Sequence, residues 1–219
     1  MNKWETQRLA NNLAFLTSDD YTVRKKILES VCRAFKGKDV TWALAMSSSL
    51  FFRGITDDFN DFDILISIDS IEEFEETFRS IEGANIDDNT QQKAAFTSPF
   101  YREATINGFH FDLIGNMAVS TYARTYQYVL KKSDVEFITI DGGLTIPLSP
   151  VEANFLLYGM MCGWQARRIF KRELCYDYLA YAGIKNRDVF ERLSGNEDCI
   201  TEDLLEDTRQ LLIRDQAGI

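Results

Sequence analysis

Histidine and grouped cysteine are what this chain most lacks. His110 is the single histidine in 219 residues, and the four cysteines, Cys32, Cys162, Cys175 and Cys199, include no Cys-x-x-Cys pair. A structural zinc site draws on clustered thiolates and imidazoles, so none is expected. Positive charge is also short, with 24 Lys and Arg against 34 Asp and Glu and a net charge of −10. A phosphate-backbone footprint needs clustered cations, so a nucleic-acid polymer is not an expected partner. No apolar run reaches the roughly 20 residues of a membrane span. The longest candidate, Ala153 to Trp164, reads as a buried helix, and no membrane association is expected. The opening Met1-Asn2-Lys3-Trp4 leads into no apolar signal segment, which points to a cytoplasmic protein with reduced thiols.

What is present suits a packed α/β chain, 45% hydrophobic and 26% charged. Residues 3–16 and 20–36 read as helices, the second with Val23, Ile27, Val31 and Phe35 on one stripe. Val40 to Met46 is nearly all apolar, as a buried strand is, and Ser47 to Phe52 reads as a turn into a short helix. A strand over 61–68 follows, then a helix over 70–81 with Ser70 as N-cap and Glu73 as its capping-box partner. Residues 83–96 read as a polar loop. Tyr101–Ile106 and Phe109–Ile114 flank Asn107-Gly108, a strong hairpin signal. Weaker strands are expected at 126–130, 136–140 and 144–147, the last two joined by a turn at Asp141-Gly142-Gly143. Character changes at Ser149-Pro150, with Ser149 and Glu152 resembling a capping box. From there the pattern is helical, at about 150–170, 172–183, 186–194 and 201–215. The expected organisation is an α/β domain over 1–148 and a helical domain over 149–219.

Three segments carry chemistry. In Asp61-Phe62-Asp63, two carboxylates stand two residues apart at the start of a strand and share a face, which suits a hard divalent cation. Upstream, Ser47-Ser48-Ser49 forms a hydroxyl-rich turn whose helix N-terminus favours anions. Downstream, Asp112 lies between Phe111 and Leu113, an odd place for an uncommitted acid, and His110 shares its face.

Taken in order, these segments resemble the nucleotidyltransferase superfamily, the polymerase-β-like fold. Its pattern is a Gly-Ser or Gly-Gly turn, a spacer, Asp-x-Asp on a strand and a third acid on a later strand. The resemblance covers about residues 40 to 115. The helices that follow resemble those of bacterial enzymes acting on lincosamide and aminoglycoside antibiotics. It implies an α/β (α+β) fold with a mixed sheet, flanking helices and a C-terminal helical domain. It also implies transfer of a nucleoside monophosphate, AMP, from an NTP, ATP, to a hydroxyl of a small-molecule acceptor, with two Mg2+ ions. Asp61 and Asp63 would hold both ions and Asp112 would complete one site, while Ser47 and Ser48 would grip the β- and γ-phosphates. Arg53 offers a phosphate contact or a surface charge. Arg168 and Lys171 could meet the triphosphate or form a solvated helix face with Arg172. One departure is plain: Met46 stands where the family has glycine. Two alternatives stay open: adenylylation of a protein partner, as in antitoxins of this fold, and, because of Met46, a catalytically inactive nucleotide-binding or interaction module.

Overall fold

A computed structural model describes residues 2–92, 97–120, 125–140, 143–161, 166–194 and 201–217. The expected turn at Asp141-Gly142, together with Cys162 and Cys199, lies outside them. The chain divides into two compact units. One takes Met1–Gln92, Ser98–Met117 and Val129–Ser149; the other takes Lys93–Thr97, Ala118–Tyr128 and Pro150–Ile219.

The first unit opens with two helices, α1 (Lys3–Thr17) and α2 (Asp19–Ala34). Asn2 caps α1 in a reciprocal box with Glu5, and the Ser18 hydroxyl accepts from Asp20 N–H to start α2. The chain then forms β1 (Trp42–Ala45), α3 (Met46–Phe52), β2 (Phe62–Ile66), α4 (Ile71–Arg79), β3 (Ala84–Asp87), β4 (Phe100–Ile106) and β5 (Phe109–Gly115). Two later strands, β8 (Glu136–Thr139) and β9 (Thr145–Leu148), return to the same sheet. Its order is β3-β4-β5-β2-β1-β9-β8. Pairing is mixed: β1 is antiparallel to β2, while β2–β5 and β1–β9 are parallel. This is the expected mixed sheet with flanking helices.

Alternation along β2 and β5 sends Phe62, Ile64, Phe111 and Leu113 into the core, where Phe78 of α4 meets Phe111 edge-on at 5.3 Å. Phe74 of the same helix stacks on Phe35 at 4.6 Å. Phe15 of α1 packs against Phe51, Phe52 and Phe59, fastening α1 to α3. A polar clasp reinforces the contact: the buried Asn11 amide donates to the carbonyls of Phe51 and Thr56, each at 2.7 Å. Gly54, just beyond α3, completes it. Its φ is +74°, and a Cβ there would meet Arg8 N and lie 2.5 Å from the Trp4 carbonyl oxygen.

Two local expectations need correction. Ser70 does not cap α4 through its side chain; its hydroxyl accepts from Thr41 N–H at 3.0 Å, and Glu73 pairs with Lys38 instead. A three-residue 3-10 turn, Ile68–Ser70, supplies the entry to the helix. Residues 84–87, read as loop, form β3. It sits at the sheet edge with Ile86 alone buried, so its sequence carries little apolar alternation.

In the second unit, β6 (Met117–Ser120) and β7 (Thr125–Tyr128) form a separate two-stranded sheet. Helices α6 (Ala166–Ala182), α7 (Arg187–Ser194) and α8 (Glu202–Ala217) pack on α5 (Val151–Met161), which is buried along its whole length. The buried carboxylate of Glu152 accepts from Lys185 N–H at 2.7 Å and Asn186 N–H at 2.9 Å, tying α5 to the start of α7. Among the described residues no helix is long and apolar enough to cross a membrane.

Gly54→Ala combines a left-handed backbone with a backbone clash, so it should destabilise the protein by about 3 kcal/mol or more. The midpoint of urea unfolding measures this, and an unchanged midpoint would show that α1 can move away from α3.

Candidate active site

The sheet register brings the acids into one line. Asp63 on β2 lies opposite Ala45 on β1 and opposite Asp112 on β5. Asp112 lies opposite Glu103 on β4, and Glu103 opposite Asp87 on β3. Neighbouring strands are about 4.8 Å apart and directly paired residues share a face. The half-buried Asp63, Asp112 and Glu103 therefore stand side by side on the face opposite Phe62 and Phe111. Asp61, also half-buried, comes one residue before β2.

Asp112 is held from two sides. The Tyr101 hydroxyl donates to its Oδ1 at 2.9 Å, and His110 Nε2 lies 3.1 Å from the same oxygen. An ionised carboxylate only accepts, so Nε2 carries the hydrogen in that contact. Glu103, His110 and Asp112 bring one ligand atom each to within 4.8 Å of one another. Burial first, then the charge of Asp112, the hydrogen bond to it and the charges of Glu103 and Asp63 hold the Tyr101 phenol far above its ordinary range. The acids form a concentrated negative patch on a half-buried surface. Hard oxygen donors in that field fit a divalent cation such as Mg2+.

The turn expected to hold phosphate leaves β1 beside this row. Met46, first residue of α3, has φ +50°, a left-handed conformation that glycine adopts freely and other residues rarely do. The backbone is therefore of the glycine type although the residue is not. The following serines do different things. The Ser48 hydroxyl donates to the Ala45 carbonyl at 3.0 Å, and that of Ser49 donates to the Ser149 carbonyl at 3.3 Å. Ser47 Oγ makes no hydrogen bond to a described residue, so it is the hydroxyl open to a ligand.

Arg53 departs from its expected role. It is buried at the C-terminal end of α3, and its guanidinium binds Ser49 Oγ at 2.6 Å and the Glu136 carboxylate at 2.8 Å. Its charge holds α3 against β8, at the opposite end of the helix from the Met46 turn. Arg168 and Lys171 lie on α6 in the second unit, where the Lys171 ammonium is 5.7 Å from the Tyr158 ring and the neighbouring Arg172 pairs with Asp207 at 3.6 Å. A cavity of about 650 Å3, lined by Phe35, Trp42, Phe137 and Lys132 among others, opens at the other end of β1 and contains none of these acids.

No family model matches the sequence, and no curated protein matches it. Solved structures do. A proposed nucleotidyltransferase from Thermotoga maritima aligns with a TM-score of 0.54 and 19% identity, over 73% of this chain and 94% of its own. The antibiotic-resistance factor ANT(2'')-Ia, in complex with adenylyl-2''-tobramycin, aligns with a TM-score of 0.54 and 12% identity over 80% of this chain and 99% of its own. Its solution structure aligns over 90% of this chain with a TM-score of 0.51 and 12% identity. The chain has the nucleotidyltransferase fold.

Glu103 and Tyr101, which stand beside Asp112, are the candidate residues that sequence reading missed. The signal was present. A two-residue turn at Asn107-Gly108 pairs Ile106 with Phe109, and counting back from that pair sets Glu103 opposite Asp112.

The Met46 backbone gives a test with an unusual sign. Both Met46→Gly and Met46→Ala lose the buried side chain, but at φ +50° the glycine variant should be the more stable by about 1 kcal/mol. In an ordinary helical position alanine would lead. Thermal unfolding of the two variants side by side checks the order, and a lead for alanine would show the turn is not left-handed. For Arg53→Ala the expected loss is of stability, about 2–3 kcal/mol, because Glu136 and Ser49 lose a largely buried partner. Chemical unfolding would register it.

Proposed function

We propose that this protein is a metal-dependent nucleotidyltransferase that moves a nucleoside monophosphate, AMP, from ATP to a hydroxyl of a small-molecule acceptor. The observation that carries this reading is the pairing of Asp63 with Asp112 on neighbouring parallel strands, in line with the end of β1 from which the Met46 turn departs. The likeness in fold to ANT(2'')-Ia, a protein seen with an adenylylated antibiotic, supports a small-molecule acceptor.

In this reading Asp61 and Asp63 hold both metal ions, and Asp112 completes the site on the acceptor side. Two Mg2+ ions bound there supply activation of the acceptor hydroxyl and neutralisation of the departing pyrophosphate. The rest falls to the chain. The N–H groups of the left-handed turn and the Ser47 hydroxyl receive the phosphates. The acceptor oxygen forms its bond to the α-phosphorus, the bond to the β-phosphate oxygen breaks, and pyrophosphate leaves. Asp112 is the carboxylate placed to take the acceptor's proton, since its Oδ2 receives no hydrogen bond from a described residue. Ser48 enters through its backbone, because its hydroxyl is turned to Ala45. Arg53 is not part of the mechanism.

The turn at Met46 bears on the inactive alternative. A residue other than glycine was the reason to doubt phosphate binding, and the backbone there retains the conformation that glycine would supply.

Incubation with ATP, Mg2+ and a panel of hydroxylated acceptors, aminoglycosides included, should release pyrophosphate. Asp61→Asn and Asp63→Asn should each slow release by about 100-fold or more while leaving the fold intact, in keeping with the cost of disturbing a metal's ligands. Transfer that survives both substitutions would sink the mechanism. Calorimetry that finds ATP bound without any transfer would instead establish the binding module.

A further inference from the structure

We propose that Tyr101 and His110 are positioning residues for Asp112: both donate to Oδ1, and this assigns Oδ2 as the oxygen that meets the metal or the acceptor's proton. The inference rests on the nucleotidyltransferase reading and names how its third acid is set.

The two donors come from different directions. His110 lies two residues before Asp112 on β5, so alternation places it on the same face, with Nε2 at 3.1 Å. Tyr101 comes from β4. Its direct partner across the pair is Ile114, which makes Asp112 its diagonal neighbour, within reach of a long aromatic side chain. One donor along the strand and one across it fix the carboxylate in rotation as well as in place.

The Tyr101 hydroxyl has one hydrogen and two acids near it. Asp112 Oδ1 is at 2.9 Å and Glu103 Oε1 at 3.5 Å. Hydrogen bonds weaken steeply over that interval, so the hydrogen goes to Asp112. Glu103 is left as the acid of the row without that donor. With two donors on Oδ1, the negative charge of Asp112 is best exposed at Oδ2. A cation or a proton is therefore directed to one oxygen rather than shared between two. Outer partners of this kind orient a ligand without touching the ion.

The test uses the full chain and Mn2+ as the probe. Wild-type protein with ATP should bind Mn2+, read by the loss of the free-ion electron paramagnetic resonance signal. Tyr101→Phe keeps the ring and removes only the donor; His110→Ala removes the other. Each should weaken Mn2+ binding by about 10-fold or more and lower kcat similarly, with KM for ATP little changed. His110→Gln, which restores an N–H donor, should recover much of the loss. Equal Mn2+ affinity and kcat in wild type, Tyr101→Phe and His110→Ala would overturn the positioning role and leave the proposed function standing. Nitrogen hyperfine coupling to bound Mn2+ that vanishes in His110→Ala would overturn it differently, by making His110 a ligand. Wild-type protein that binds no Mn2+ would remove the metal-dependent reading itself, and this proposal with it.

Discussion

The parallel pairing of β2 with β5 is the constraint on which the rest of the first unit depends. Side chains alternate with a period of two along a strand, so a slip of one residue would exchange every face. Phe62, Ile64 and Phe111 must stay in the core, and that requirement alone keeps Asp63 and Asp112 out of it. The hydrophobic effect therefore places the acids. No attraction between carboxylates could do so, since they repel. The antiparallel register of β1 on β2 sets Ala45 opposite Asp63, so the turn at Met46 begins next to that acid. Core packing on one face of the sheet thus defines the spacing of the chemistry on the other.

That spacing carries an electrostatic cost. Asp63, Asp112 and Glu103 occupy successive strands in a chain whose net charge is already −10. Two features offset the repulsion. Tyr101 and His110 give Asp112 two donors, and the patch is only half-buried, so water still reaches the carboxylates. A divalent cation would offset it further, because its positive charge is attracted to every carboxylate of the row. The arrangement has a plain physical logic: the sheet holds like charges closer than they would settle alone, and a cation bound among them would lower their energy.

How much of this was legible in the sequence varied with the physics behind each feature. The Asp61-Phe62-Asp63 alternation and the Asn107-Gly108 hairpin could be read, because period and turn type are local properties. Glu103 and Tyr101 were equally readable, since a two-residue turn fixes the pairing of everything before and after it. The roles of Ser70 and Arg53 could not be read. Ser70 resembles a helix cap, but tertiary structure brings Thr41 N–H to its hydroxyl. Arg53 resembles a phosphate contact, but Glu136 lies 83 residues away in sequence and meets it only through the return of β8 to the sheet. Edge strand β3 was hidden for a third reason, that a strand with one buried residue needs no apolar pattern.

Met46 shows why residue type and backbone conformation have to be argued separately. From the sequence, loss of the turn glycine suggests loss of the turn. The structure keeps φ at +50° there, because the surroundings determine the path on both sides. Before it, β1 is paired on both edges, to β2 and to β9. After it, the Ser48 hydroxyl reaches back to the Ala45 carbonyl, and the buried Arg53 ties the end of α3 to Glu136. A residue held between two such anchors has little freedom to relax, and the strain of a left-handed methionine, about 1–2 kcal/mol, is small beside the packing that enforces it. The Met46 side chain is itself buried, so its packing returns part of that cost. Glycine would relieve the strain and forfeit the packing. The turn can therefore survive a substitution that local sequence rules would count against it.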